Sequence, residues 1–220
     1  MINKMKSYDV ILFDLDGTLT DPEHGLIESH YYGLTKMGIE IKDKSALRRY
    51  IGPTLFDIWQ EDFGFSPDET REAIRLFREY FSVYGWWDNK VYDGVREMLI
   101  ALGNSGKRLA LATSKPEIFA KKILDKFALT EYFEFIGAAT LDTTRDKKWQ
   151  VIEYALAEMG ITDRDRCILV GDRMYDAEGA SICGIDSLGV RYGHGTREEL
   201  AASGFTYLAA TPSEVASLLK

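Results

Sequence analysis

Four consecutive apolar residues, Val10-Ile11-Leu12-Phe13, form the first clear pattern of the chain, the kind required by a strand buried on both faces. A polar stretch, Asp14-Leu15-Asp16-Gly17-Thr18-Leu19-Thr20, follows directly. Successive residues of a strand alternate faces, so Asp14 and Asp16 share a face if the extended backbone continues through Leu15. An Asp-Gly turn after a strand is common and needs no chemistry. It leaves unexplained a carboxylate at the end of a buried run, where open α/β sheets keep their reactive groups. Two unpaired carboxylates that close repel each other, and a cation is the usual remedy.

Helical spacing then takes over, and residues 19–88 contain no strand pattern. Asp21-Pro22 signals a helix start, and the helix runs to about Met37 before Gly38. Asp43 caps a short helix through Arg48 and Arg49, and Gly52-Pro53 opens another toward Phe63. Ser66-Pro67-Asp68-Glu69 is a capping box, and its helix is expected to reach about Tyr84. Phe56, Trp59, Phe63, Phe77, Tyr80, Phe81, Tyr84, Trp86 and Trp87 fall mostly at helical spacings and are read as the core of this block. His24 and His30 have no third ligand at metal spacing and are assigned to the surface or to a hinge.

After residue 88 strands and helices alternate. Asp93 caps a helix through Leu102, and Arg108 to Ser114 is a buried strand ending in hydroxyls. Further strands are expected near Phe135–Gly137, at Cys167–Gly171, at Ser187–Val190 and near Thr206–Leu208. Helices fall between them, and a last one is opened by Thr211-Pro212-Ser213-Glu214. This alternation implies a parallel sheet covered on both faces.

Composition narrows the function. The 220 residues carry 35 acidic against 27 basic side chains, a net charge of −8, which disfavours a nucleic-acid partner. Any anion site must therefore be a local positive spot. Cys167 and Cys183 sit in apolar stretches and are read as reduced core thiols. No segment approaches membrane-spanning length, so a cytoplasmic protein with no membrane partner is expected.

Asp14-Leu15-Asp16-Gly17-Thr18-Leu19-Thr20 resembles the first motif of the haloacid dehalogenase superfamily, in its magnesium-dependent phosphotransferase branch. Three further motifs follow in order. Thr113 resembles the Ser/Thr that binds the transferred phosphoryl group, with Ser114 beside it. A lysine opening a helix resembles the third motif. Lys147 and Lys148 both qualify, and Lys148 is favoured by standing three residues before Val151-Ile152. Gly171-Asp172-Arg173-Met174-Tyr175-Asp176 resembles the fourth motif, with Arg173 where many relatives carry Ser or Thr. The resemblance implies an α/β, doubly wound, Rossmann-like core of residues 1–18 and 89–220 with a small helical cap of residues 19–88. It implies Mg²⁺ held by Asp14, the backbone carbonyl of Asp16 and Asp172, with Asp176 orienting water or the lysine from behind. It also implies nucleophilic attack by Asp14, acid–base work by Asp16, and phosphate binding by Gly17, Thr113, Ser114 and Lys148. Backbone N–H groups around Leu15 and Gly17 are expected to help cradle the phosphate.

The implied activity is hydrolysis of a small phosphate monoester, phosphoglycolate-like or nucleotide-like, by a monomer or homodimer. The loop Arg191-Tyr192-Gly193-His194-Gly195 resembles one found in phosphoglycolate phosphatases and related nucleotidases, and His194 is read there as a loop residue. Two alternatives share these motifs. A phosphosugar mutase of the β-phosphoglucomutase kind typically carries Glu-Asp where this chain has Gly171-Asp172, and a non-enzymatic regulator usually lacks one of the residues found here. In the cap, Arg48 and Arg49 are candidates for recognising an anionic substrate tail; the plainer reading is a pair of solvated charges beside Asp43 and Asp57.

Overall fold

The structure is a computed structural model and describes residues 6–52 and 55–220, without the side chain of Asp57. The chain divides into two compact units, Met1–Asp21 with Val91–Lys220, and Pro22–Lys90. The sequence placed the divisions after residues 18 and 88. The difference arises because the chain passes through two short paired strands, β2 (Thr20–Asp21) and β3 (Lys90–Val91), which lack the length to show as a sequence pattern.

The first unit is built on β1 (Val10–Phe13), which is buried along its whole length. β1 lies between β4 (Arg108–Pro116) and β6 (Cys167–Gly171), with Val10 level with Arg108 on one side and with Cys167 on the other. With β5 (Phe135–Ala139), β7 (Asp186–Val190) and β8 (Tyr207–Ala209) these form one parallel sheet in the order β5-β4-β1-β6-β7-β8. All six strands therefore end at one edge, and the three central ends belong to the segments carrying Asp14, Thr113 and Asp172. Helices α6 (Lys148–Glu158) and α7 (Met174–Ile182) cover one face, where Ile152, Leu156 and Ala180 pack with Leu12, Ala112 and Leu169.

The second unit is helical. α1 (Glu23–Lys36) and α3 (Pro67–Tyr80) pack together, joined by a 3₁₀ turn (Lys44–Tyr50) and α2 (Leu55–Phe63). The capping box at Ser66 forms as read, with Ser66 N–H donating to Glu69 Oε2 at 2.9 Å. The helix after it does not continue regularly to Tyr84: residues Phe81–Gly85 widen into a π-helical turn. Asp21 does not cap α1, and Asp93 does not cap α4 (Val95–Asn104), where Gly94 takes the cap position. The remaining helices are α5 (Glu117–Lys126), α8 (Arg197–Ala202) and α9 (Pro212–Leu219). None of the described helices is long and apolar enough to cross a membrane.

His30 departs from its expected place. It is buried in the helical unit among the rings of Tyr50, Trp59 and Phe77, with centroids 4.8 to 5.7 Å away. Burial holds its imidazole neutral and lowers its pKa to about 3. His24 remains exposed and pairs with Asp88.

Candidate active site

Asp14 follows the last residue of β1, and its N–H donates to Val170 O at 2.9 Å, so the ladder with β6 fixes its backbone. Its Oδ1 lies 2.8 Å from Lys148 Nζ, and the same ammonium lies 2.8 Å from Asp176 Oδ1. A third contact joins Lys148 Nζ to the carbonyl of Ala112 at 3.1 Å, on β4. Lys148 is buried at the first position of α6. Burial alone would lower its pKa, but Asp14 and Asp176 outweigh it and hold the side chain firmly charged. Lys147 is exposed, which resolves the choice left open by the sequence as to which lysine meets the carboxylates.

Asp172 follows β6 and is completely buried. Its Oδ2 accepts the N–H of His194 at 2.7 Å, while its Oδ1 has no hydrogen-bond partner among the described residues. Both oxygens of Asp176 are engaged: Oδ1 by Lys148, and Oδ2 by the N–H groups of Asp172 (3.0 Å) and Arg173 (2.9 Å). Asp176 thus shapes the loop that presents Asp172. Arg173 reaches away to Glu199 Oε1 at 2.8 Å and ties this loop to α8.

Two glycines permit the crowding. Gly17 has φ +82°, and a Cβ there would stand 2.1 Å from Asp172 Oδ2. Its N–H already donates to Thr20 O at 2.7 Å, so Gly17 meets the site through its missing side chain, not as the free amide donor the sequence suggested. A Cβ on Gly193 would lie 2.3 Å from Gly17 O and 2.4 Å from Asp172 Cβ. The loop that the sequence left without a chemical task therefore lies on Asp172. His194 is a loop residue, as read, but its backbone N–H serves the carboxylate.

Asp16 carries a partner that sequence reasoning missed. Lys115 Nζ lies 2.5 Å from Asp16 Oδ2, and the lysine side chain is only 5% exposed. Thr113, also buried, accepts the Lys115 N–H on its Oγ1 at 3.2 Å. The Ser114 hydroxyl makes no hydrogen bond among the described residues. The sequence offered no signal for Lys115, because it lies where β4 leaves its regular register with β5, between Thr113 and Pro116.

Arg48 and Arg49 lie in the helical unit. Arg48 Nε is 3.1 Å from Glu23 Oε2, and Arg49 is 2.9 Å from Asp62 Oδ2, with side chains 55% and 66% exposed. Asp43, which the sequence offered as a neighbour, instead accepts the Ser45 N–H at 2.9 Å, and the Asp57 side chain lies outside the described residues.

One oxygen each of Asp14, Asp172 and Asp176 lie within 4.8 Å of one another. Four carboxylates, those of Asp14, Asp16, Asp172 and Asp176, are met here by two ammonium groups, Lys148 and Lys115. Burial, followed by the charges of Asp176 and Asp14, pushes the Asp172 carboxyl well above the usual carboxylate range. A buried all-oxygen cluster with surplus negative charge and an unpartnered oxygen on Asp172 fits a hard divalent cation.

A parallel α/β core that gathers carboxylates and a buried lysine at the carboxyl ends of its strands is the arrangement in which enzymes of open α/β sheets keep their active sites. The sequence profile of the haloacid dehalogenase-like hydrolases matches residues 11–190. A 5′-nucleotidase of Pseudomonas aeruginosa is 39% identical over 213 residues, covering 97% of this chain and 96% of that one. The tyrosine-protein kinase PtkA of Mycobacterium tuberculosis is 34% identical over 216 residues, covering 97% of this chain and 73% of that one. A crystal structure of a predicted phosphatase from Clostridium acetobutylicum matches with a TM-score of 0.92 at 40% identity, covering 96% of this chain and 97% of that one. The protein belongs to the haloacid dehalogenase-like hydrolase family, and it is a phosphatase.

Proposed function

We propose that this phosphatase hydrolyses a small, nucleotide-like phosphate monoester with Mg²⁺, through an aspartyl-phosphate on Asp14. The observation that carries the reading is the charge imbalance at the sheet edge, where four carboxylates face two lysines. Asp14, Asp172 and the Asp16 carbonyl would hold the cation, with Asp176 keeping the Asp172 loop and Lys148 in place. When bound, the ion neutralises phosphate and carboxylate charge that would otherwise repel.

The remaining work falls to the side chains. Asp14 attacks phosphorus in line while the bond to the leaving oxygen breaks. Asp16 gives that oxygen a proton, then takes one from the water that displaces Asp14 and frees phosphate. Lys148 binds the nucleophile and the phosphoryl oxygens together, and the Thr113 hydroxyl supplies a neutral donor. The nucleotide-like substrate class is supported by the 5′-nucleotidase that resembles this chain over nearly its full length. The partner is then a small phosphorylated metabolite.

A phosphate-release screen tests this with nucleoside 5′-monophosphates, 2-phosphoglycolate, hexose phosphates and p-nitrophenyl phosphate. Release with Mg²⁺ is expected, fastest on a nucleotide and abolished by chelator. Full activity in excess chelator would sink the metal assignment. Transfer to a sugar hydroxyl in preference to water would favour the mutase reading.

A further inference from the structure

We propose that Lys115 is a positioning residue that aims the Asp16 carboxylate at the leaving oxygen. The proposal rests on the aspartyl-phosphate reading above and adds to it a residue with no assigned role.

The backbone places Lys115 by an irregularity. β4 and β5 run in register from Ala110 opposite Phe135 to Thr113 opposite Ala138, after which Pro116 stands opposite Ala139. Ser114 and Lys115 are thus extra residues in β4, a bulge of the kind that re-aims a side chain beside an active site. A bulge leaves backbone donors out of the ladder, and the Thr113 hydroxyl accepts the Lys115 N–H at 3.2 Å. The phosphate-site threonine therefore also pins the bulge.

The side chain then reaches Asp16. A lysine that is 5% exposed would be costly to bury without an anion, and Asp16 Oδ2 supplies one at 2.5 Å. Asp16 Oδ1 accepts no hydrogen bond from any described residue. With one oxygen clamped, the free rotation of the carboxylate is removed and Oδ1 is the atom left for the proton. Orientation of this kind is worth large factors in rate, since proton transfer needs a heavy-atom separation of about 2.6–3.2 Å. In the first half-reaction the P–O bond to the leaving group breaks as Asp14 bonds to phosphorus, and that oxygen takes the proton from Asp16. In the second, water gives a proton to Asp16, bonds to phosphorus and releases Asp14.

The test compares two leaving groups on the same enzyme preparations, in single turnover with enzyme in excess and Mg²⁺ present. Benzyl phosphate must release an alkoxide that needs a proton, whereas p-nitrophenyl phosphate releases a stable anion. Lys115→Met should slow release of benzyl alcohol about 10²-fold and leave release of nitrophenolate within about threefold. Lys115→Arg should restore much of the benzyl rate, because a guanidinium also grips a carboxylate oxygen. A misfolded fraction lowers the effective enzyme concentration for both substrates alike and leaves the ratio of their saturated rates untouched. Equal slowing on both substrates would overturn the proposal, as would a change confined to the enzyme concentration that gives half the maximal rate, the sign that Lys115 binds substrate directly. Failure of the wild-type enzyme to release either alcohol would instead overturn the aspartyl-phosphate reading beneath it.

Discussion

Gly17 concentrates the demands of the site on a single position. Its φ of +82° costs a residue with a Cβ roughly 1–2 kcal/mol, and the carbon would collide with the carboxylate of Asp172. Gly17→Ala should therefore cost about 2 kcal/mol or more in urea unfolding and cut phosphatase activity at least about 10²-fold. An active, undiminished variant would show that Asp172 tolerates displacement and is not a ligand. Nearby residues differ in how far they could be read. Asp14, Asp16 and Asp172 stand at the ends of apolar runs, a local feature visible in one dimension. Lys148 could be separated from Lys147 only by its offset, because burial depends on where α6 lands. Lys115 looked like an ordinary residue before Pro116, since the bulge exists only relative to β5.

At the scale of elements, α1 carries a test of the helical unit. The aromatic cage holds His30 neutral with a pKa of about 3, against about 6.5 in the unfolded chain. Below about pH 6.5 the unfolded state binds the extra proton and the folded state does not, so stability falls as pH drops, by up to about 1.4 kcal/mol per unit. Urea unfolding followed by tryptophan fluorescence should show wild type losing more stability than His30→Phe between pH 7 and pH 5.5. Equal losses would mean that the cage opens to water. The 3₁₀ turn carries a second test. Arg48 and Arg49 are exposed beside their acidic partners, and a guanidinium is suited to an anionic substrate tail. Replacing both with Ala should reduce kcat/KM for the best natural monoester roughly tenfold, about 1.4 kcal/mol, and affect p-nitrophenyl phosphate much less. Equal loss on both substrates, or none, would remove the arginines from substrate recognition. These helices were legible as helices, but the burial of His30 was not: its neighbours Tyr50, Trp59 and Phe77 come from three other segments.

For the whole molecule, a cation held by the carboxylate cluster would make folding and cation binding one equilibrium. Mg²⁺ at about a hundred times its Kd should stabilise the folded chain by about 2.7 kcal/mol, read as a higher Tm that chelator reverses. Asp172→Asn should abolish the shift, and an unchanged wild-type Tm would remove the cation from the cluster. The parallel sheet was legible because buried strands and amphipathic helices alternate in sequence. The pairing of β2 with β3 was not, as each is two residues long.

The register of β1 also sets an order of events during synthesis. Its neighbours are Arg108 on one side and Cys167 on the other, so the first ladder cannot form until the entire helical unit has been made, and the second must wait for much of the remaining chain. The helical unit closes through partners nearer in sequence and can collapse early, whereas β1 waits as an unpaired apolar strand. The segment bearing Asp14 is thus made before either strand it pairs with and must wait for both. A nascent chain halted short of β6 would possess its nucleophile but no catalytic centre, and the edge of β1 still lacking its β6 neighbour would be the part most in need of a chaperone.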